Sequence, residues 1–155
     1  MNVVALLHRA KDAGVMIATA ESCTGGMVAA ALTDIPGSSA VIDRGFVTYT
    51  NAAKEQMLGV NPATLERFGA VSQEVAREMA QGCLSRSNAQ LAISVTGIAG
   101  PGGSDFKPEG RVCFGLAATG QETKTQTVEF GAQGRNAVRI AARDHALELL
   151  LKALD

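Results

Sequence analysis

Aromatic side chains are scarce in this chain of 155 residues, which has no tryptophan, one tyrosine and five phenylalanines. Its core must therefore be built from aliphatic side chains and methionine. Platforms for stacking nucleobases are few, and a formal net charge of -1 offers no excess of cations for a phosphate backbone. We therefore expect no nucleic-acid partner.

Metal ligands and membrane segments are also missing. The three cysteines are scattered along the chain and the two histidines, His8 and His145, are far apart, so no metal-binding spacing occurs. No apolar run approaches the roughly 20 residues that cross a bilayer, and the first residues lack the pattern of a secretory signal. The sequence predicts a cytoplasmic protein in a reducing setting, with no membrane contact, no metal and no cofactor.

Glycine, in contrast, is abundant, with 17 residues in the chain. This is about 11% of the sequence, against an average near 7%. A chain of this length buries enough surface to fold as one domain, which we place at residues 1–155. The excess of glycine indicates segments where a backbone group, rather than a side chain, is needed.

Alternation and helical periodicity predict a mixture of strands and helices. The last two predicted strands are joined by a short glycine turn, which makes part of the sheet antiparallel. We therefore expect a three-layer α/β/α sandwich with a mixed, mostly parallel sheet. The predicted strands are 15–20, 44–50, 91–95, 112–118 and 123–130, with helices between them and at both ends.

Ser22 stands between the first predicted strand and a helix that we expect to begin at Thr24-Gly25-Gly26. A nucleophile at that position is exposed at the edge of the sheet, and backbone N–H groups at the helix start can hold an oxyanion. Ser22 and Thr24 are equally suited to capping the helix. Cys23 is a rival nucleophile, although no neighbouring histidine supports it.

Lys54 is unusual for the first turn of a helix. With Asn51 as the N-cap, Lys54 takes the third helical position, where glutamate is favoured and an ammonium is repelled. That repulsion, with burial, would lower the pKa of Lys54 towards that of a general base. Solvation of the lysine is the simpler alternative. Tyr49 precedes this helix and is expected either to pack in the core or to relay a proton to Lys54.

The segment 96–110 contains five glycines and two prolines and follows a buried strand. Its amides can approach a phosphate closely, although the segment also suits a flexible surface loop. Arg135 and Arg139, four residues apart on the last helix, can clamp an anion or face solvent.

Five segments together resemble the CinA C-terminal domain family over nearly the whole chain. The resemblance implies a metal-free nicotinamide-nucleotide amidase, with nicotinamide mononucleotide as substrate, acting in pyridine-nucleotide salvage. A homodimer or larger homo-oligomer is expected, as for other small metabolic enzymes. The segments are TAESCTGG (19–26), YTNAAK (49–54), GAVS (69–72), TGIAGPGG (96–103) and KPEGRV (107–112).

The resemblance also implies roles for individual residues. Ser22 would be the nucleophile, Lys54 its base and Tyr49 a possible relay, while the backbone of Cys23 and Thr24 would hold the oxyanion. The sequence GAQGR departs from the family's G-D-R segment before Arg135, and Glu109 replaces an apolar residue. A non-catalytic nucleotide sensor of the same family is the alternative. The expected substrate-binding residues are Gly25, Gly26, Thr96, Gly97, Gly100, Gly102, Gly103, Arg135 and Arg139.

Overall fold

The computed structural model describes residues 2–104 and 106–155. Its six α-helices are α1 (Val3–Ala13), α2 (Met27–Thr33), α3 (Asn51–Leu58), α4 (Pro62–Phe68), α5 (Gln73–Ser85) and α6 (Arg135–Ala153). Its five strands are β1 (Ile17–Glu21), β2 (Ile42–Val47), β3 (Leu91–Gly97), β4 (Arg111–Ala118) and β5 (Lys124–Glu129).

The strands form one sheet in the order β2-β1-β3-β4-β5. The central strand β1 is parallel to both of its neighbours, whereas β4 is antiparallel to β3 and to β5. Four strands therefore point in one direction and β4 alone in the other. This mixed sheet, with helices on both faces, confirms the predicted three-layer α/β/α class.

Each face of the sheet is covered by a different set of helices. Helices α1, α2 and α6 enclose a core that includes Ile93, Val28 and Leu147. Helix α5 covers the other face, where small sheet residues such as Ala18 and Ala92 let it approach closely. The aliphatic core expected from the scarcity of aromatics is confirmed.

The strand register gathers three chain segments at one edge of the sheet. Glu21, the last residue of β1, pairs with Val47 of β2 and with Val95 of β3. The residues that follow, Ser22 and Thr48, continue the same ladder, because Ser22 N donates to Val95 O over 2.9 Å and Thr48 N donates to Glu21 O over 2.8 Å. From β1 the chain continues to β2 on one side of it and then to β3 on the other, so the strand order reverses at β1. Ligands of open α/β sheets bind at the carboxyl ends of the strands beside such a reversal.

Some predicted boundaries were wrong by a few residues. Strand β2 ends at Val47, so Tyr49 lies in the connection to α3 and not on a strand. Strand β3 continues through Thr96 and Gly97, which shortens the glycine-rich loop to 98–110. Residue 105 of that loop lies outside the described residues.

Candidate active site

Lys54 occupies the centre of the site and is only 1% exposed. Its Nζ lies 3.0 Å from Ser22 Oγ, 3.0 Å from Thr48 O and 3.2 Å from Tyr49 O. Burial lowers the pKa of Lys54 to about 8. A neutral amine has two N–H donors and one lone pair. The two carbonyls match the two donors, which leaves the lone pair for the Ser22 hydroxyl.

The helix that carries Lys54 begins one residue earlier than the sequence indicated. Thr50, and not Asn51, is the N-cap, and its side chain accepts a hydrogen bond from Ala53 N over 3.0 Å. Lys54 is therefore in the fourth helical position, and it is burial that depresses its pKa. The prediction of a lysine with a lowered pKa is confirmed, but the capping residue was wrong.

Cys23 is unsuited to nucleophilic attack. Its side chain packs in the core on the α2 and α6 face of the sheet. Burial raises the pKa of the thiol to about 12, so the thiolate is not formed near neutral pH. Of the two neighbouring candidates, Ser22 alone has a base beside it.

Glu21 is a buried residue whose part in the site the sequence reasoning missed. Its carboxylate is fully buried and accepts hydrogen bonds from Thr24 Oγ1 (2.6 Å), Val28 N (2.9 Å) and Ala29 N (3.0 Å). An acidic residue at the end of a fully buried, largely apolar strand was the available signal. Glu21 fixes the turn after Ser22 by joining it to the first turn of α2.

The contacts of Glu21 correct one part of the predicted oxyanion site. Helix α2 begins at Met27 and not at Thr24, and two of its first amides are occupied by the Glu21 carboxylate. The start of α2 is therefore not a free anion site. Of the two turn residues predicted to hold an oxyanion, Cys23 lines the cleft and Thr24 does not.

A cleft of about 350 Å³ opens beside Ser22 and Lys54. The cleft is lined by residues from the end of β1, the start of α3, the glycine-rich loop and the start of α6. Among the described lining residues, no side chain is acidic, and Arg135 and Lys107 contribute basic side chains in addition to Lys54. The cleft therefore favours an anionic ligand. The predicted site residues in its lining are Ser22, Cys23, Tyr49, Lys54, Thr96, Gly97, Gly100, Gly102, Gly103 and Arg135.

Arg135 is the first residue of α6 and reaches across the cleft. Its Nη1 donates to Gly100 O over 2.7 Å, and its Nη2 donates to the Tyr49 hydroxyl over 3.0 Å. Tyr49 is 60% exposed. It therefore does not pack in the core, and its hydroxyl faces Arg135, whereas Lys54 contacts Ser22 directly.

Glu109, near the end of the glycine-rich loop, stabilises the conformation of the loop through two hydrogen bonds. The carboxylate accepts hydrogen bonds from Gly102 N (2.7 Å) and from Gly134 N (3.2 Å), which precedes α6. Gly100 has a φ of +90°, and a Cβ there would lie 2.7 Å from Glu109 Cγ. Glycine is thus required at position 100, and Glu109 joins the loop to the start of α6.

Lys107 lines the cleft and, like Glu21, was not assigned a part in the site by the sequence reasoning. Its Nζ donates to Phe68 O and Val71 O, each over 2.6 Å, and so fastens the segment 68–71 to the glycine-rich loop. Thr96, on the same side, donates its hydroxyl to Ala70 O over 2.9 Å. Both side chains border the cleft.

Four residues that we expected in the site do not line the cleft: Thr24, Gly25, Gly26 and Arg139. Thr24 is buried and donates its hydroxyl to Glu21. Arg139 points to the back of the Ser22 turn, where its Nε donates to Cys23 O over 3.0 Å and its Nη2 to Thr24 O over 3.3 Å. The expected clamp of Arg135 and Arg139 on one anion is wrong, because the two side chains diverge.

Residues 2–154 match the model of the CinA C-terminal domain. The chain belongs to this family. A CinA-like protein from Chlorobium phaeobacteroides (strain BS1) is 53% identical over 147 residues, which are 91% of this chain and 34% of that protein. The chain thus spans about a third of that relative's length.

Shorter relatives are matched over most of their length. The nicotinamide-nucleotide amidohydrolase PncC of Enterobacter agglomerans is 51% identical over 143 residues, which are 92% of this chain and 87% of that protein. The crystal structure of the competence/damage inducible protein CihA from Agrobacterium tumefaciens has 49% identity and a TM-score of 0.91, covering 99% of this chain and 96% of that one. The family's fold is therefore the fold described above.

The described part of the chain has neither a membrane-spanning helix nor a cluster of metal-ligating side chains. Among residues 2–104 and 106–155, no helix combines the length and apolarity required to cross a membrane. In the same residues, no three His, Cys, Asp or Glu side chains are grouped so that they could hold a metal ion.

Proposed function

We propose that this chain, as a single domain, hydrolyses the carboxamide of nicotinamide mononucleotide to nicotinate mononucleotide and ammonia. The observation that carries the proposal is the contact of 3.0 Å between Lys54 Nζ and Ser22 Oγ. The pKa of Lys54, lowered to about 8, makes the amine available as a base near neutral pH. The name of the PncC relative supports the choice of substrate.

The first half of the reaction forms an acyl-enzyme. Neutral Lys54 accepts the hydroxyl proton as Ser22 Oγ attacks the amide carbon, and an oxyanion develops on the former amide oxygen. The backbone N–H of Cys23, a residue that lines the cleft, stabilises that oxyanion, whereas Thr24 is buried away from the cleft. The C–N bond then breaks, and Lys54 returns the proton to the departing nitrogen, which leaves as ammonia.

The second half regenerates the enzyme. A water molecule takes the place of ammonia, gives a proton to Lys54 and attacks the ester that joins the substrate to Ser22. The ester bond breaks, Lys54 returns a proton to Ser22, and the product acid gives its remaining proton to solvent and leaves as a carboxylate. Each proton transfer to or from Ser22 passes through Lys54, so Tyr49 is not required as a relay in this scheme.

The rest of the cleft suits the nucleotide part of the substrate. Arg135 and Lys107 provide positive charge, and the backbone of the glycine-rich loop lines the same cleft. A phosphate monoester satisfies such donors well. Glycines 97, 100, 102 and 103 are therefore proposed to border the phosphate or ribose. The homo-oligomeric state, the cytoplasmic setting and the part in nucleotide salvage belong to the same proposal.

The proposal is tested by ammonia release from nicotinamide mononucleotide. The wild-type chain is expected to release ammonia at a rate far above that of Ser22→Ala, with nicotinate mononucleotide formed in equal amount. Nicotinamide riboside, which lacks the phosphate, is the matched control and should be a poorer substrate through a higher KM. Binding of the nucleotide without ammonia release above the Ser22→Ala level would favour the non-catalytic sensor.

A further inference from the structure

The turn that carries Ser22 is held on its far side by Arg139, which lies one helical turn after Arg135 on α6. Arg139 Nε donates to Cys23 O over 3.0 Å, and its Nη2 donates to Thr24 O over 3.3 Å. These are the carbonyls of the two residues that follow the nucleophile. A single guanidinium therefore spans two consecutive peptide groups.

Such a contact determines the direction of the peptide N–H groups. A trans peptide is planar, and its carbonyl and N–H point in opposite directions. By holding Cys23 O, Arg139 directs Thr24 N–H to the other side of the turn. In the same way, Gly25 N holds Ser22 O over 3.0 Å and thereby directs Cys23 N–H away from Gly25.

The two N–H groups directed in this way are left without acceptors. Across residues 2–104 and 106–155, neither Cys23 N nor Thr24 N donates to another residue. Thr24 is fully buried and does not line the cleft, so Cys23 N–H is the donor that borders the cleft beside Ser22. Oxyanion holes are typically formed by backbone N–H groups that lie next to the nucleophile and have no acceptor elsewhere in the protein. The guanidinium also polarises the peptides it contacts, which makes their N–H groups stronger donors.

The surroundings of Arg139 are adapted to this contact. In the described part of the chain, no acidic side chain forms an ion pair with Arg139, so its donors go to the backbone. Gly25 has a φ of +57°, and a Cβ at this position would lie 3.3 Å from Arg139 Nη2. Glycine therefore leaves room for the guanidinium while it adopts a backbone conformation that other residues rarely take.

We propose that Arg139 is a positioning residue that orients Cys23 N–H as the oxyanion donor beside Ser22. Its bond to Thr24 O fixes the peptide whose N–H, that of Gly25, holds Ser22 O and thereby sets the direction of Cys23 N–H. The inference rests on the acyl-transfer function proposed above and adds a residue that does not touch the substrate. It replaces the substrate-binding role expected from the sequence. Since the ground-state amide needs this donor less than the oxyanion does, Arg139 should affect kcat much more than KM.

Substitutions at Arg139 should therefore form an ordered series. Loss of one oxyanion donor typically costs about 100- to 1000-fold in kcat, so Arg139→Gln, which acts indirectly, should lose about 10- to 100-fold. KM for nicotinamide mononucleotide should change less than about threefold. Arg139→Lys, which can hold one carbonyl of the two, should lie between Arg139→Gln and wild type.

An alkyl fluorophosphonate provides a test that does not depend on the natural substrate. Ser22 Oγ attacks phosphorus, the O–P bond forms as the P–F bond breaks, fluoride leaves, and the serine proton passes to Lys54. The phosphonyl oxygen then needs the same N–H donor as a carboxamide oxyanion. The measurement is the rate of Ser22 modification by mass spectrometry, together with ammonia release, for wild type and the Arg139 series.

Arg143→Gln is the matched control, because Arg143 lies one turn further along α6 and contacts Asp144 through Nε over 2.9 Å. It should be modified like wild type. Thermal unfolding of each variant identifies any that fail to fold. If Arg139→Gln fails to fold, the comparison of Arg139→Lys with wild type still decides the test. Slower modification and lower kcat in the order wild type, Lys, Gln would support the inference.

Equal rates of Ser22 modification in wild type and both Arg139 variants would overturn the inference. A raised KM with unchanged kcat would also overturn it, in favour of substrate binding by Arg139. Wild type that is unmodified by the fluorophosphonate would contradict it as well. If wild type is modified at Ser22 but releases no ammonia, the proposed substrate is wrong, and the modification rates still decide the role of Arg139.

Discussion

The Nζ of Lys54 lies 3.0 Å from the Oγ of Ser22 and equally far from the carbonyl oxygen of Thr48. The strand register accounts for this meeting, because Glu21 of β1 pairs with Val47 of β2 and the next residues of both strands are Ser22 and Thr48. The nucleophile and an acceptor for the base thus arrive together at the end of two parallel strands. Helix α3 then brings Lys54 over both.

Replacement of Ser22 is expected to abolish the reaction, whereas replacement of Cys23 is not. Ser22→Ala should lower kcat by about 1000-fold or more, as is usual for loss of a nucleophile. Cys23→Ala removes a thiol that burial keeps protonated, and it should retain at least about a tenth of the activity. Ammonia release by the two variants separates the candidates, and the opposite order would identify Cys23 as the nucleophile.

The pH dependence of kcat/KM should report the ionisation of Lys54. The base is active when neutral, and its pKa is about 8, so kcat/KM should rise about tenfold per unit up to pH 8 and then level off. Lys54→Met should remove both the activity and this acid limb. A profile that is flat from pH 6 to pH 9 in the wild type would exclude a neutral lysine as base.

The same ionisation should appear in the stability of the folded chain. Folding lowers the pKa of Lys54 from its ordinary 10.5 to about 8, so between these pH values the unfolded chain binds more protons and stability rises with pH. Below pH 8 the cost of burying the charged ammonium is about 3 kcal/mol. Lys54→Met removes this cost.

Urea unfolding of wild type and Lys54→Met at pH 7 and pH 10 measures this effect. We expect the free energy of unfolding of Lys54→Met to be higher relative to wild type at pH 7 than at pH 10. A difference between the two proteins that stays constant over this range would contradict the account of Lys54.

Glu21 is expected to matter for stability as well as for the geometry of the Ser22 turn. Glu21→Ala leaves Val28 N, Ala29 N and Thr24 Oγ1 without their acceptor, and should reduce the free energy of unfolding by about 2–4 kcal/mol. The exposed Glu122 provides a control, since Glu122→Ala should change stability by less than about 0.5 kcal/mol. Equal losses in the two variants, measured by urea unfolding, would show that the three hydrogen bonds of Glu21 contribute little.

The hydroxyl of Tyr49 should contribute to binding and not to proton transfer. It accepts a hydrogen bond from Arg135 Nη2 over 3.0 Å, whereas Lys54 reaches Ser22 without it. Tyr49→Phe frees Arg135 to move and should raise KM by a few-fold, about 2- to 10-fold, with kcat nearly unchanged. A fall in kcat with KM unchanged, from steady-state kinetics, would restore Tyr49 as a relay.

The sequence was most informative where a residue type conflicted with its local position. A lysine in the first turn of a helix and a serine after a buried strand predicted the pair, and parallel strands brought the two together. The helix N-cap was wrong by one residue because Thr50 and Asn51 are both good caps. Only the side-chain contact with Ala53 N distinguishes them.

Contacts between distant segments were beyond the reach of the sequence. Arg139 and Cys23 are 116 positions apart, and Lys107 and Val71 are 36 apart, so no local pattern reports either contact. Helical spacing placed Arg135 and Arg139 on one face, but their side chains diverge towards the cleft and the Ser22 turn. The glycines near Ser22 were assigned to the ligand, whereas Gly25 makes room for a protein side chain.

The most direct test of the Ser22 and Lys54 mechanism is partitioning of the acyl-enzyme between water and hydroxylamine. Wild type with nicotinamide mononucleotide and hydroxylamine should produce the hydroxamate of the nucleotide at the expense of the nicotinate product, while Ser22→Ala should produce neither above background. Release of ammonia by wild type with no hydroxamate at any hydroxylamine concentration would contradict a covalent intermediate on Ser22.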